Sequence, residues 1–257
     1  MTGRRRWGTV VEDTACGAQM NDRYFGVATD EGVFRPPARS FRPRRRALSP
    51  TRQVAYQRQL DQWRLPADGP LLDWTQVFIA LAVGEAGDTA PVLDIGFGGG
   101  EGLVALAAAQ PDQPIVGVEV HTPGIAYVLG EVETRDWRHV RVVDTDVLEF
   151  LPRVPLASLA GVRLWFPDPW PKTKQRHRRL FRPDVVTALV DRVRPGGFMH
   201  IATDIAEYAR QVQEVAAAEP RLQGGVVPRP SWRPETRYER RGLAAGRSPV
   251  DLIYTVV

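Results

Sequence analysis

At 257 residues, with 43% apolar and 25% charged side chains, the chain carries enough apolar surface to close one large domain core. One cysteine, Cys16, excludes an intramolecular disulfide framework and a cysteine-rich metal site, and suits a reducing compartment such as the cytoplasm. The net charge of +4 is uneven, with ten arginines against five acids in residues 1–46.

Residues 1–48 are rich in Arg, Gly and Pro and lack periodicity, so they read as a largely disordered N-terminal extension. Their first residues are basic, but no apolar core follows, so no signal peptide is expected; nor does any run suit a membrane span. Arg35, Arg39, Arg42, Arg44, Arg45 and Arg46 cluster within the extension. Such a cluster suits a polyphosphate, with counterion release driving affinity. The folded domain is expected over 49–257. It opens at Ser49-Pro50, an N-cap followed by proline at the first helical position, on a helix running to about residue 64. In that helix Val54, Leu60 and Trp63 are expected to face a core, and Arg52, Arg58 and Asp61 the solvent. A second helix is expected over 71–83.

From residue 91 the pattern alternates. Strands are expected at 91–95, 115–120, 140–144, 162–166, 198–203 and 252–256, helices at 101–110, 123–134, 183–193 and 205–218, and a turn at 194–197. Short apolar strands alternating with helices predict an α/β fold with a doubly wound, mainly parallel sheet. Ligands of such sheets lie beyond the carboxyl ends of the strands. That rule selects the loops after Ile95, Val118, Val143 and Phe166.

The first of these reads Asp94-Ile95-Gly96-Phe97-Gly98-Gly99-Gly100-Glu101-Gly102. The dinucleotide fingerprint G-x-G-x-x-G fails here, since the sixth position is Glu101 counted from Gly96 and Leu103 counted from Gly98. Glu101 also stands where a pyrophosphate would meet the helix N-terminus. Asp94 and Glu101 would repel that phosphate, whereas Asp94 would attract the cationic ammonium or sulfonium of a methionine moiety. The loop therefore points to a nucleoside cofactor without phosphates, S-adenosylmethionine. Glu119, ending the second strand, is placed to accept from ribose hydroxyls. After the third, Asp144-Thr145-Asp146 offers a carboxylate suited to an adenine amino group.

The fourth loop, Phe166-Pro167-Asp168-Pro169-Trp170-Pro171-Lys172-Thr173-Lys174, fixes one carboxylate among prolines and aromatics. It also holds the only two lysines among 34 basic residues. With Leu93 to Gly98, Gly117 to His121, Ala202-Thr203-Asp204 and Arg233 to Gly242, this loop resembles the bacterial tRNA (guanine-N7-)-methyltransferase family. The similarity extends over about residues 40–257. The Phe-Pro-Asp-Pro-Trp block and the C-terminal Thr-[Lys/Arg]-[Phe/Tyr]-Glu block are specific to that family; the glycine loop is not.

The resemblance implies a Rossmann-like S-adenosylmethionine-dependent methyltransferase fold. It implies transfer to N7 of a guanine in the variable loop of tRNA, giving 7-methylguanosine at position 46. It casts Asp94, Gly96, Glu119, Asp146 and Asp168 as cofactor-binding residues, with Asp168 also catalytic. Lys172, Asp204, Thr236, Arg237, Tyr238 and Glu239 become substrate-binding residues. The family often has Glu where this chain has Asp94, and Lys where it has Arg237. The expected partner is tRNA, with no membrane, no obligate protein partner, no metal, and a monomeric or homodimeric state. Competing readings are methylation of an exocyclic amine in RNA or DNA, a nicotinamide-dependent oxidoreductase, and a non-catalytic RNA-binding protein.

Overall fold

A computed structural model describes residues 48–79 and 89–257. Nearly all of the expected N-terminal extension, and the end of the helix expected over 71–83, lie outside the described residues. Seven strands form one sheet in the order β3-β2-β1-β4-β5-β7-β6. They are β1 (Val92–Ile95), β2 (Ile115–Val118), β3 (Val140–Val143), β4 (Leu159–Trp165), β5 (Val193–Thr203), β6 (Leu222–Val227) and β7 (Val250–Val256). The first five run parallel, and β7 lies antiparallel between β5 and β6. The four-residue strands β1 and β2 are buried throughout because helices cover both faces, which is why they read as apolar runs apart from Asp94. The chain winds from β1 outward through β2 and β3, then returns to the other side of β1 as β4. A crevice therefore opens at the carboxyl ends of β1 and β4, the topological switch point.

The described helices are α1 (Pro50–Trp63), α2 (Trp74–Val77), α3 (Glu101–Ala109), α4 (Thr122–Thr134), α5 (Val147–Phe150), α6 (Pro183–Val190), α7 (Ala206–Ala217) and α8 (Arg237–Ala244). Helix α1 follows Ser49 as expected, but its buried face is Tyr56, Gln59, Leu60 and Trp63, and Val54 is 73% exposed. Val54 sits two residues from Tyr56, about 200° around the helix, and so points away from the seam. That seam joins Leu129 and Val132 of α4 in the core. Glu133 of α4 fastens it by accepting from Arg58 and from Gln59 Nε2 (2.8 Å). No described helix is long and apolar enough to cross a membrane.

The expected turn at 194–197 survives only as a bulge inside β5. Leu159 pairs with Val193 and Gly161 with Phe198, so four residues loop out of the ladder. Strand β6 and helices α5 and α8 were not expected. The glycine-rich β6 has an exposed face at the sheet edge and so carries little apolar signal. At the start of α8, Thr236 and Glu239 form a complete capping box.

Candidate active site

The carboxyl ends of β1, β2 and β4 share one cavity of ≈ 340 Å³ with the start of α8. Asp94 and the glycine loop form one wall, Glu119 and His121 the next, and Phe166, Pro167 and Asp168 the third. Thr236, Arg237, Tyr238 and Arg241 close the fourth side. The glycine loop meets α4 so closely that a Cβ on Gly124 would run into the Gly98 carbonyl oxygen. Gly98 itself has φ +60°, and a Cβ there would lie 3.1 Å from the Tyr238 ring. Two backbone approaches at one loop therefore demand small residues. Glu119 ties this corner together, accepting from Gly98 N (2.6 Å), Val120 N (2.6 Å) and His121 N (3.0 Å).

Burial raises the Asp94 carboxyl to about 6, with Glu119 adding and the neighbouring Arg163 opposing. Burial raises Glu119 too, against the pull of its three backbone donors. A pair of desolvated carboxylates facing open space is a receptor for a cation. A Cβ on Gly96 would meet nothing within 4 Å, so the loop's face is clear for a ligand. These features fit the methionine end of S-adenosylmethionine and oppose a pyrophosphate.

The model of a family described as "Putative methyltransferase" matches residues 88–252. A tRNA (guanine-N(7)-)-methyltransferase of Alkalilimnicola ehrlichii is 41% identical over 233 residues, covering 88% of this chain and 95% of that protein. One of Streptomyces avermitilis is 40% identical over 228 residues, covering 86% and 76%. The chain belongs to the tRNA (guanine-N7-)-methyltransferase family. Among solved structures, the 16S rRNA methyltransferase KamB covers 76% of this chain and 99% of its own at 15% identity, with a TM-score of 0.52. That likeness concerns the fold, which is the Rossmann-like fold of S-adenosylmethionine-dependent methyltransferases.

The family's motif positions divide between the cavity and its supports. Asp94, Gly96, Glu119, Asp168, Thr236, Arg237 and Tyr238 line the cavity together. Asp146 is absent from that lining; it caps α5, accepting from Leu148 N at 3.1 Å. Lys172 is exposed at the start of a 3-10 turn, Thr173–Arg178, beyond the rim. Asp204 follows β5 but does not cap α7, whose N-cap is Ile205; its carboxylate accepts from Arg247 Nε at 2.7 Å. Trp170 is 2% exposed beneath the Arg178 guanidinium, so Tyr238, at 45% exposure, is the ring available for stacking.

Glu239 is likewise turned inward. It is buried, and its two oxygens accept from Arg229, Arg233 and Thr236 N. Burial alone would raise its carboxyl, but the two guanidiniums outweigh it and hold the group below the usual value. Arg233 also donates to Asp251 at 3.1 Å, and Asp251 Oδ1 lies 2.8 Å from His200 Nε2. Trp165 Nε1 donates to His200 Nδ1 at 3.1 Å, which fixes the other ring nitrogen as the donor to Asp251. Burial pushes His200 below its ordinary value, in keeping with this neutral tautomer. Sequence reading missed Arg233, His200 and Asp251 as a unit. For His200 and Asp251 the one local signal was polarity inside otherwise apolar strands, as in Met199-His200-Ile201; Arg233 lies in a bend before α8.

Proposed function

We propose that this protein transfers a methyl group from S-adenosylmethionine to N7 of a guanine in tRNA, at position 46 of the variable loop. The observation that carries the reading is the shared cavity, which sets Asp168 and the Thr236-Arg237-Tyr238 block against the glycine loop. When bound, S-adenosylmethionine supplies a methyl group on a cationic sulfur. Asp94 would hold the methionine ammonium and Glu119 the ribose hydroxyls; Asp146, the buried cap of α5, stands outside the cavity lining and would act on the adenine side only by fixing that loop.

Guanine N7 offers an in-plane lone pair and carries no proton at neutral pH, so the protein need not supply a general base. Its task is alignment of nucleophile and methyl group. Asp168 faces the side where positive charge grows on the base and stabilises it. Tyr238 stacks on the guanine, while Arg237, Arg241 and Lys172 meet phosphates. Asp204, at the next strand end, is proposed as a contact for the guanine edge. Glu239 acts on the substrate through the placement of Thr236 and Tyr238. The reading places the protein in the cytoplasm, working on tRNA as a monomer or homodimer without an obligate protein partner.

A tRNA transcript built with 7-deazaguanine lacks the accepting nitrogen. It is expected to take no label from methyl-labelled S-adenosylmethionine, whereas the ordinary transcript is labelled. Equal labelling of both would overturn the N7 assignment.

The buried Asp94 gives this reading a pH dependence. Its folded value, about 6, lies above the ordinary 3.8, so its proton is held more tightly in the folded chain. Ionising it costs folding stability as pH rises from 3.8 through about 6, and leaves that cost constant above. Cofactor affinity runs the other way and is gained as Asp94 ionises. Calorimetric titration is expected to show S-adenosylmethionine binding weakening below pH 6, and Asp94→Asn is expected to flatten the profile. A wild-type affinity unchanged from pH 7 to pH 5 would contradict the assignment.

Removing residues 1–46, with their ten arginines, is expected to weaken tRNA binding and flatten its salt dependence. A salt slope unchanged from the full chain would make the tract a bystander.

A further inference from the structure

The loop that carries Asp168 is conformationally costly. Phe166 and Trp170, which flank it, have φ of 52° and 39°, a region that non-glycine residues seldom enter. Pro167, Pro169 and Pro171 have no N–H, so the loop has few backbone donors with which to anchor itself. Its shape must be imposed from outside. Phe166 N is held by the Ala202 carbonyl of β5 at 2.7 Å, and the buried Trp170 ring packs under Arg178. Between them, the Pro169 carbonyl accepts from Arg179 Nε at 2.8 Å.

Arg179 is fully buried, and it spends its remaining donors on α7. Nη1 donates to Glu207 Oε1 (2.9 Å) and to Gln211 Oε1, and Nη2 donates to Glu207 Oε2 (2.6 Å). Its guanidinium carbon stands 4.9 Å from the centre of the Tyr208 ring. Tyr208 and Gln211 are themselves bonded to the Phe181 backbone, so the helix side of this clamp is fixed. A planar fork can satisfy a carbonyl and a carboxylate at once; an ammonium on a flexible stem cannot reproduce that geometry.

We propose that Arg179 is a positioning residue for methyl transfer: its guanidinium fixes the Pro169 carbonyl to α7 and so sets where Asp168 stands in the cavity. The assignment rests on the methyltransferase reading above. Arg179 does not line the cavity, so it touches neither the cofactor nor the base. Its effect falls on the geometry of the reacting groups and is therefore read in kcat. Glu207 is already 36% exposed beside Arg179, and Arg176 lies 3.4 Å from it, so removing Arg179 strands no carboxylate in the core.

The test compares wild type, Arg179→Met and Arg179→Lys in three measurements: kcat, KM for tRNA, and Kd for S-adenosylmethionine. Methionine keeps an apolar stem over Tyr208 and removes the fork. The expected result for Arg179→Met is a fall in kcat of about 30-fold or more, with KM and Kd changed by less than about threefold. Arg179→Lys, able to donate to one partner at a time, is expected to recover part of that loss. A kcat within about threefold of wild type, or a loss matched by an equal rise in Kd, would overturn the proposal.

If Arg179→Met does not fold, Glu207→Gln provides the second arm, since it loosens the fork at a partly exposed site. Its kcat is expected to fall at unchanged KM, and an unaltered kcat overturns the proposal equally. Failure of wild type to methylate tRNA sinks the methyltransferase reading, and the proposal with it. Active wild type beside active variants sinks the positioning role alone.

Discussion

Asp168→Ala is expected to lower kcat by about 10²–10³-fold, the range seen when one preorganised charge-stabilising group is removed from an active site. Asp168 shares the cavity with the glycine loop and Tyr238, which the proposed reading assigns to the cofactor and the base. Methyl transfer carries positive charge from sulfur to the base, and a fixed carboxylate on the receiving side favours that movement. Asp168→Asn keeps the size and most hydrogen bonding but removes the charge. It separates the electrostatic part of the effect from the steric part. Both variants should melt close to wild type, because Asp168 is partly exposed and outside the main core. Single-turnover kinetics beside thermal melts make the check, and full activity in a folded Asp168→Ala protein would remove the residue from the mechanism.

The largest loss of stability is expected from Arg233→Met. Arg233 is 1% exposed and bridges Glu239, at 2% exposure, to Asp251, at 2%. Taking away one partner of a buried ion pair leaves the others desolvated, at a cost of about 3–5 kcal/mol. For a domain of this size that corresponds to a fall in melting temperature of about 10 °C. The effect should reach the active site as well. Glu239 closes the capping box that orients Thr236 and starts α8, and the Arg233 guanidinium packs over the Phe166 ring, 5.6 Å from its centre. Combining Arg233→Met with Glu239→Gln should recover part of the lost stability, since the stranded carboxylate becomes neutral. A melting temperature within about 2 °C of wild type for Arg233→Met would show that the network carries little energy.

The parts of the fold legible in the sequence were those whose pattern is local. The strands from β1 to β4, and helices α3 and α4 between the first three of them, were marked by short apolar runs closed by acids and glycines. The glycine loop told against a dinucleotide because Glu101 and Asp94 crowd the place of a phosphate. Whatever depends on distant partners was hidden. Val54 looked core-facing until α1 met α4 through Tyr56, Leu60 and Trp63. Nothing local says that Arg178 covers Trp170. Glu239 looked like a substrate ligand, although Arg229 and Arg233 claim its oxygens. Helix α8 offers too few apolar residues to mark a buried face, and only the Thr236–Glu239 spacing announced a cap. Arg179 stood in a run of basic residues, and its destination on Pro169 and Glu207 exists only once α7 has packed.

The most direct measurement is the position of the methyl group. Unmodified tRNA is incubated with the purified protein and methyl-labelled S-adenosylmethionine, and then cleaved chemically at 7-methylguanine. One cut at the variable-loop guanine, with label released as 7-methylguanine, is the expected result. No label, label on an exocyclic amine, or cuts scattered over many guanines would contradict it.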